Sequence, residues 1–191
     1  LPADTALRTT MLDVGDGTAI VIERGRDALL WDAGSMRESV GVRTIDDACR
    51  SIGAHRVGTV VLTHANIDHF MGILDIARPL GVRRIVTGES FARQADRDPD
   101  GAAALVLTEA ERLGIEHRVV AAGDTIEIGD LSIRVLHPPA GFEARAENDA
   151  SLVAVAETAG RRLLLTGDIQ DEAIAMLLES GVDLSADVME L

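Results

Sequence analysis

Two histidines and an aspartate, His64, Asp68 and His69, lie within six residues directly after an apolar run at residues 59–62. Imidazole and carboxylate groups are the usual ligands of zinc, manganese and iron. A strand that delivers such side chains together at its carboxyl end would place them at the rim of the core. A single histidine there would be an ordinary loop residue, but the three together have the composition and spacing of metal ligands. We therefore predict a metal site centred on this segment.

Four aspartates, Asp13, Asp32, Asp68 and Asp168, end or interrupt apolar strands. A carboxylate at a strand end beside the core costs free energy unless it is paired or bound to a metal. Several such strand ends meeting at one rim would form a metal pocket. Asp13 and Asp32 could instead form turns or hydrogen-bond the ligating histidines, and Asp168 could cap the helix that follows it.

The elements that position these side chains change in type along the chain. Short strands separated by turns containing Gly and Asp open it, strands then alternate with helices as in an α/β layer, and short strands return after residue 116. Residues 94–101 have the composition of a mobile loop, because they carry charge, Pro and Gly without an apolar pattern. The predicted helices are residues 43–52, 72–79, 101–113 and 171–179, and the predicted strands are residues 7–14, 18–23, 28–32, 59–62, 82–87, 117–121, 125–128, 131–136, 151–156, 161–165 and 186–191.

The bulk composition limits the class of protein. A chain of 191 residues that is 47% hydrophobic fits a single domain, residues 1–191, with a substantial core. The formal net charge of −14 argues against a broad basic surface for nucleic acid or anionic lipid. It leaves room for a phosphate-containing substrate, because bound divalent cations would add local positive charge. Cys49 is the only cysteine, so an internal disulfide and a cysteine-rich zinc site are excluded.

The ends of the chain give the sequence the character of a piece of a longer protein. It begins with Leu1 rather than Met and stops at Leu191 within an apolar stretch. No apolar run approaches the roughly 18 residues of a membrane span, and no signal peptide is recognisable.

Residues 63–69, Thr-His-Ala-Asn-Ile-Asp-His, resemble the His-x-His-x-Asp-His metal motif of the metallo-β-lactamase superfamily. Five further segments are similar, in the same order, to segments of the competence protein ComEC family. Residues 11–19 resemble its Asp-Val-Gly-Gln-Gly-Asp, residues 30–34 its Ile-Asp-Thr-Gly, residues 148–153 its segment ending in Ser-Leu-Val, residues 163–169 its Leu-Leu-Thr-Gly-Asp, and residues 186–191 the strand that leads into its Pro-His-His-Gly-Ser.

This resemblance implies a fold and a function. The fold would be a metallo-β-lactamase-like four-layer αββα sandwich of the α/β class, truncated at its carboxyl end. The function would be that of a metal-dependent phosphodiester hydrolase, a DNase that acts in DNA uptake. DNA would be the substrate, and no nucleotide cofactor is implied. The domain would be attached to the membrane channel portion of the same polypeptide and lie outside the cytoplasm of a bacterial cell.

The resemblance also implies roles for individual residues. Up to two divalent ions, zinc or manganese, would be bound, with Asp168 bridging them. Asp68 would be the catalytic residue that orients the attacking water and accepts its proton. The implied metal positions are His64, Asn66, Asp68, His69 and Asp168, and the implied surrounding or substrate-pocket residues are Asp13, Asp32, Asp149 and Ser151.

Two departures from the family pattern affect one of the two implied ions, the one that His64 and Asn66 would share. ComEC-type sequences place Asp where this chain has Asn66, and the neutral amide is a weaker oxygen donor. Lactamase relatives supply a further histidine, which residues 148–151 lack, and His137 is the nearest substitute. We therefore expect the ion shared by His64 and Asn66 to be the weaker one.

Other functions remain open. The chain could be a different metallo-phosphoesterase, such as a phosphocholine esterase of similar sequence, whereas the missing histidine disfavours a β-lactamase. It could also be a degenerate, non-catalytic domain that helps to gate or assemble a membrane channel.

Overall fold

Two β-sheets lie face to face, and each carries helices on its outer face. The computed structural model describes residues 7–36 and 38–190, with side chains described for all of these except residues 38–42. The first sheet has the strand order β1 to β6, and the second has the order β11-β10-β9-β8-β7. The strands are β1 (Leu7–Met11), β2 (Ile20–Arg24), β3 (Asp27–Trp31), β4 (Thr59–Leu62), β5 (Arg84–Gly88), β6 (Glu116–Val120), β7 (Thr125–Ile128), β8 (Leu131–His137), β9 (Val153–Thr158), β10 (Arg161–Leu165) and β11 (Val188–Met189).

Connection length decides the direction of the strands. The loop of residues 12–19 joins β1 to β2, and a turn at residues 25–26 joins β2 to β3, and both pairs are antiparallel. Longer connections that contain helices leave β3, β4, β5 and β6 parallel. The helices are α1 (Glu38–Ile52), α2 (Ile67–Phe70), α3 (Ile73–Ile76), α4 (Glu89–Arg97), α5 (Ala102–Arg112) and α6 (Asp171–Glu179), with a 3₁₀ turn at Glu147–Ala150. Within residues 7–36 and 38–190, no helix combines the length and apolarity that crossing a bilayer requires.

Apolar side chains fill three layers, and successive residues of a strand point into different ones. In β3, Leu30 packs against the helices, whereas Leu29 and Trp31 pack against the second sheet. Val60 and Val61 of β4 divide in the same way. Burial on both faces explains why these strands are continuously apolar rather than alternating. The third layer joins α6 to the outer face of the second sheet through Leu177, Val153, Val155 and Leu164. The four-layer αββα sandwich predicted from the sequence is therefore confirmed.

Several predicted elements differ in extent. Residues 94–101 are not a loop throughout, because α4 continues to Arg97 and buries Phe91 and Ala95. These two are the buried side chains of α4, and the polar composition of the rest of the helix concealed it. The predicted helix at residues 72–79 is shorter, because only α3 (Ile73–Ile76) falls within that range. The segment before it, which carries Asp68 and His69, forms a second short helix, α2. Helix α1 begins earlier than residue 43, and the last strand is limited to Val188–Met189.

The segments that follow β3 and β4 are in direct backbone contact. The amide of Ala33 donates to the carbonyl of His69, and the amide of Gly72 donates to the carbonyl of Ala33, each at 2.8 Å. A Cβ atom on Gly34 would lie 1.8 Å from the carbonyl oxygen of Asp68 and 2.3 Å from the amide nitrogen of His69. Only glycine can occupy this position, because any side chain would push apart the two loops that bring the aspartates and histidines together.

Replacement of Gly34 by alanine tests this close approach. We expect Gly34→Ala to lower the free energy of unfolding by about 3 kcal/mol, because the added methyl group meets backbone that has no room to move. Urea denaturation of the metal-free chain measures the change. Gly58→Ala is the matched control, since its Cβ would meet only an arginine nitrogen at 3.5 Å. Equal stability of the two variants would contradict the prediction.

Candidate metal centre

His64, His69 and Asp168 come together at the carboxyl ends of β4 and β10. Each offers one ligand atom, and the three atoms lie within 4.8 Å of one another. The two imidazole rings are 4.3 Å apart between centroids. Nε2 of His69 is 3.4 Å from Oδ2 of Asp168. Both histidines are buried and Asp168 is partly exposed, so the cluster opens to solvent on the Asp168 side.

Asp32 fixes this cluster from the protein interior. Its fully buried carboxylate accepts hydrogen bonds from the amide of Thr63, from Thr63 Oγ1 and from His69 Nδ1, each at 2.8 Å. The backbone of Asp32 has φ of +59°, a left-handed conformation that a non-glycine residue adopts at a cost. These three bonds hold the residue in that conformation and orient both the loop after β4 and the ring of His69.

The same bonds determine which nitrogen of His64 is available to a ligand. Thr63 Oγ1 donates its one proton to Asp32, so toward Nδ1 of His64, 3.0 Å away, it can only accept. Nδ1 of His64 therefore carries the proton and also faces Ser151 Oγ at 3.1 Å. Nε2 is left as an unprotonated, buried atom without a hydrogen-bond partner. A buried nitrogen lone pair beside His69 and Asp168 fits a divalent cation, which would satisfy it.

The pKa values of the cluster reflect burial and mutual charge. Burial and, to a smaller extent, the neighbouring His69 together lower the pKa of His64 to about 3, so His64 is neutral. Burial also acts to lower the pKa of His69, but hydrogen bonding and charge attraction to Asp168 and Asp32 prevail and raise it to about 10. The contact with His69 holds the pKa of Asp168 below its ordinary value. In the metal-free molecule a proton on His69 therefore offsets the carboxylate charge that a cation would offset.

Asp68 and Asn66 lie beside the cluster in different settings. Oδ2 of Asp68 is 3.9 Å from Nε2 of His69, and the Asp68 side chain is 31% exposed. Asn66 instead donates through Nδ2 to Oδ1 of Asn148 at 2.6 Å. The amide that the family resemblance placed among the metal ligands is thus hydrogen-bonded to a second amide.

Ser151 and Asp13 line the surroundings of Asp168. Ser151 Oγ accepts a hydrogen bond from the amide of Asp168 at 3.3 Å while facing His64. Asp13 is exposed and lines a pocket of about 440 Å³ together with Gly167, Asp168 and Glu190. Asp13 therefore borders the cluster on its open side, whereas the fully buried Ser151 contacts it from the protein interior. Their predicted roles in the pocket remain predictions.

Asp149 and His137 serve the neighbouring helix rather than the cluster. The buried carboxylate of Asp149 accepts from the amides of Gln170 and Ala173 at the first turn of α6, which is the position of a helix-capping acid. His137 donates through Nε2 to the carbonyl oxygen of Asp149 at 2.8 Å. His137 is therefore not placed to replace the missing histidine ligand.

Two carboxylates that support the site were missed in the sequence. Glu147 accepts from the amide of Ala65 and the hydroxyl of Ser90, and so ties the histidine loop to α4. Glu190 accepts from the amides of Thr166 and Gly167 at 2.9 and 3.0 Å, immediately before Asp168. Glu190 could have been noticed as a carboxylate that ends an apolar strand, whereas Glu147 lies in a polar segment that carries no such signal.

Glu190 should position Asp168. We expect Glu190→Ala to lower the free energy of unfolding by about 1–3 kcal/mol, because two backbone amides lose their acceptor. We also expect it to weaken binding of Mn²⁺, whereas Glu190→Gln, whose amide oxygen can accept both bonds, should retain most of the affinity. Urea denaturation and isothermal titration calorimetry measure the two effects. Glu179→Ala, an exposed acid on α6, is the control, and an equal loss of affinity there would refute the assignment.

Comparison with known proteins agrees with this geometry. The model of the Metallo-beta-lactamase superfamily matches residues 12–173. ComE operon protein 3 of Bacillus subtilis is 27% identical over 196 residues, which cover 95% of this chain and 24% of that protein. Ribonuclease Z of Methanopyrus kandleri is 31% identical over 120 residues, or 61% of this chain and 37% of that enzyme. The match to ComE operon protein 3 confirms the resemblance to the competence family. The chain spans about a quarter of the length of that relative.

Solved structures show the same fold. A subclass B3 metallo-beta-lactamase from a soil metagenome library superimposes with a TM-score of 0.62, covering 95% of this chain and 75% of that enzyme. The sequence identity is 15%, so this likeness concerns the fold alone. The predicted metallo-β-lactamase-like architecture is confirmed.

Proposed function

Because the chain belongs to the metallo-beta-lactamase superfamily, we propose that it is a metal-dependent hydrolase that cleaves phosphodiester bonds in DNA. The observation that carries this proposal is the convergence of Nε2 of His64, Nε2 of His69 and the carboxylate of Asp168 at one rim of the sandwich. His64 contributes a buried nitrogen with no other partner, and this is the donor that a divalent cation requires.

The residues of the site would have two roles, binding of the metal ion and activation of the attacking water. His64, His69 and Asp168 would hold a zinc or manganese ion, and Asp32 and Ser151 orient these ligands from behind. When bound, the ion supplies Lewis-acid polarisation of the phosphodiester and makes water acidic enough to attack near neutral pH. Asp68 is the remaining carboxylate next to His69, and we assign it the orientation of the attacking water and the acceptance of its proton.

Three observations support a nucleic acid as the substrate: the net charge of the protein, the pocket beside Asp168 and the similar proteins. A protein of net charge −14 repels a phosphate group unless a cation neutralises it at the site of reaction. The pocket of about 440 Å³ beside Asp168 gives a substrate access to the open side of the cluster. One similar protein is a ribonuclease and another belongs to a competence operon. These similarities support a nucleic acid rather than an antibiotic as the substrate.

The same similarity supports a place in a larger protein. ComE operon protein 3 is about four times as long as the part that matches this chain. We propose that this domain is joined to a membrane channel portion in the same polypeptide and lies outside the cytoplasm. There it would meet incoming DNA before the strand that is taken up crosses the membrane.

Cleavage of DNA by the metal-loaded chain tests the proposal. We expect Mn²⁺- or Zn²⁺-dependent cleavage of a labelled oligonucleotide, lost with EDTA, and lowered roughly a hundredfold or more in His64→Ala and Asp168→Ala. Gel analysis of DNA and RNA substrates of equal length also identifies the preferred nucleic acid. Asp96→Ala and Glu179→Ala change exposed residues outside the cluster and should retain full activity. The proposal would be refuted if the metal-loaded chain left the substrate intact, or if all variants cleaved it equally.

A second candidate function is a non-catalytic domain of the channel, and one contact favours it. Asn66 and Asn148 satisfy each other at 2.6 Å where the family resemblance calls for a metal ligand. A site that retains one cation through His64, His69 and Asp168 could serve the stability of the fold without hydrolysis.

Asn66→Asp separates the two candidates. We expect the wild-type chain to bind one equivalent of Mn²⁺ and the variant to bind a second, because a carboxylate replaces a neutral amide beside His64. Native mass spectrometry and elemental analysis count the ions. If only the variant cleaves DNA, the non-catalytic assignment holds for the natural chain, whereas cleavage by the wild-type chain excludes it. Asn148→Asp is the companion variant, since it changes the other partner of the same contact.

A further inference from the structure

A second concave surface lies at the opposite end of the sheets from the metal-ligand cluster. It encloses about 880 Å³ and is lined by the segments that lead into β3, β4, β5 and β6. His64 follows the carboxyl end of β4, whereas Gly58 and Thr59 of this surface stand at its amino end. At about 3.3 Å per residue, the four residues of β4 separate the two sites by roughly 13 Å. We call this surface the arginine groove.

Five arginines line the arginine groove: Arg26, Arg56, Arg78, Arg83 and Arg84. This is an unusual concentration in a chain whose net charge is −14. The acids in the lining are fewer: Asp27, Glu116 and Glu127. The charge of the groove is therefore opposite in sign to that of the molecule, and the net charge alone could not have revealed it.

Most of these guanidinium groups are available to a ligand. Arg84 is paired with Glu116 at 2.9 Å, and Arg78 is attracted by Glu109. Within the described ranges, the guanidinium groups of Arg26, Arg56 and Arg83 have no hydrogen-bond or ion-pair partner, and all three residues are exposed. Each therefore presents a full set of donors in the planar geometry that matches phosphate oxygens.

The backbone that carries the arginines is fixed before any ligand arrives. The amides of Arg83 and Arg84 both donate to the carbonyl of Gly58, at 3.0 and 3.2 Å, and the amide of Val57 donates to the carbonyl of Leu80 at 2.9 Å. These bonds tie the loop before β4 to the loop before β5. Arg56 and Arg83 consequently occupy neighbouring positions on a rigid rim.

We propose that the arginine groove binds the sugar-phosphate backbone of a nucleic-acid strand. A phosphodiester backbone presents negative charge at regular intervals along a narrow chain, and a groove with several unpaired arginines complements it. The large apolar side chains of the lining, Leu29, Leu80 and Ile128, are buried and offer no exposed anchor. Protein partners and membranes both use such anchors, so the groove favours a polyanionic strand.

The inference does not depend on the catalytic assignment, because the groove lies outside the metal-ligand cluster. The groove would bind a nucleic-acid strand at the end of the sandwich opposite the cluster, whether or not the cluster cleaves that strand. Binding is expected to be independent of sequence and to weaken steeply with salt, because the contacts are to phosphates.

Fluorescence anisotropy with a labelled oligodeoxythymidylate about 20 nucleotides long tests the groove. EDTA is present throughout, so that metal-dependent binding and cleavage at the cluster are excluded. We expect the wild-type chain to bind at low salt and the double variant Arg56→Glu/Arg83→Glu to bind about tenfold more weakly. Arg56→Gln/Arg83→Gln should show a smaller loss in the same direction.

The matched control is Arg97→Glu/Arg145→Glu, which changes the net charge by the same amount at exposed arginines outside the groove. We expect its affinity to stay within about twofold of that of the wild-type chain. An equal loss in the control, or no binding by the wild-type chain, would overturn the proposal. Binding to phosphatidylglycerol vesicles without binding to the oligonucleotide would also overturn it, because the groove would then serve a lipid surface.

Discussion

The buried carboxylate of Asp32 is the interaction on which the site depends. It accepts two hydrogen bonds from Thr63 and one from His69, and so joins the end of β3 to the loop that follows β4. Burial raises the pKa of Asp32, while the bonds from His69 and Thr63 oppose that rise. A buried charge in this place is tolerable because the carboxylate accepts these three hydrogen bonds. Through Thr63 it also determines which nitrogen of His64 faces the cluster.

The αββα sandwich makes that interaction possible. Parallel strands β3 and β4 end at the same rim, and Gly34 lets their following loops touch at backbone distance. The second sheet brings β10 to the same rim, and Glu190 holds the turn that presents Asp168. The cluster is therefore assembled from two segments distant in sequence, the loop after β4 and the turn after β10. Asp32 and Glu190 hold these segments by accepting hydrogen bonds from their backbone amides. Such rigidity suits metal ligands, because their geometry must be set before the ion arrives.

Electrostatic charge is unevenly distributed over the molecule. Carboxylates surround the metal-ligand cluster at the carboxyl ends of the parallel strands, and Asp13, Asp68 and Asp168 all lie on that side. Arginines collect at the amino ends of the same strands. A phosphate group would thus approach the cluster only with the help of a cation, while the opposite end could hold phosphates directly. The parallel strands β3 to β6 thus separate an end that suits a cation from an end that suits an anion.

The sequence by itself determined the fold class and most of the cluster. Continuous apolar strands and His64, Asp68 and His69 within six residues are local patterns, and Asp168 follows its strand in the same manner. Polar residues with few core contacts concealed helix α4, and the negative net charge concealed the arginine groove. Tertiary structure alone decided that Asn66 pairs with Asn148 and that Asp149 caps α6. The physical reason is that these hydrogen bonds join residues 82 and 21 positions apart in the chain. Such contacts depend on how the layers pack, which no local spacing records.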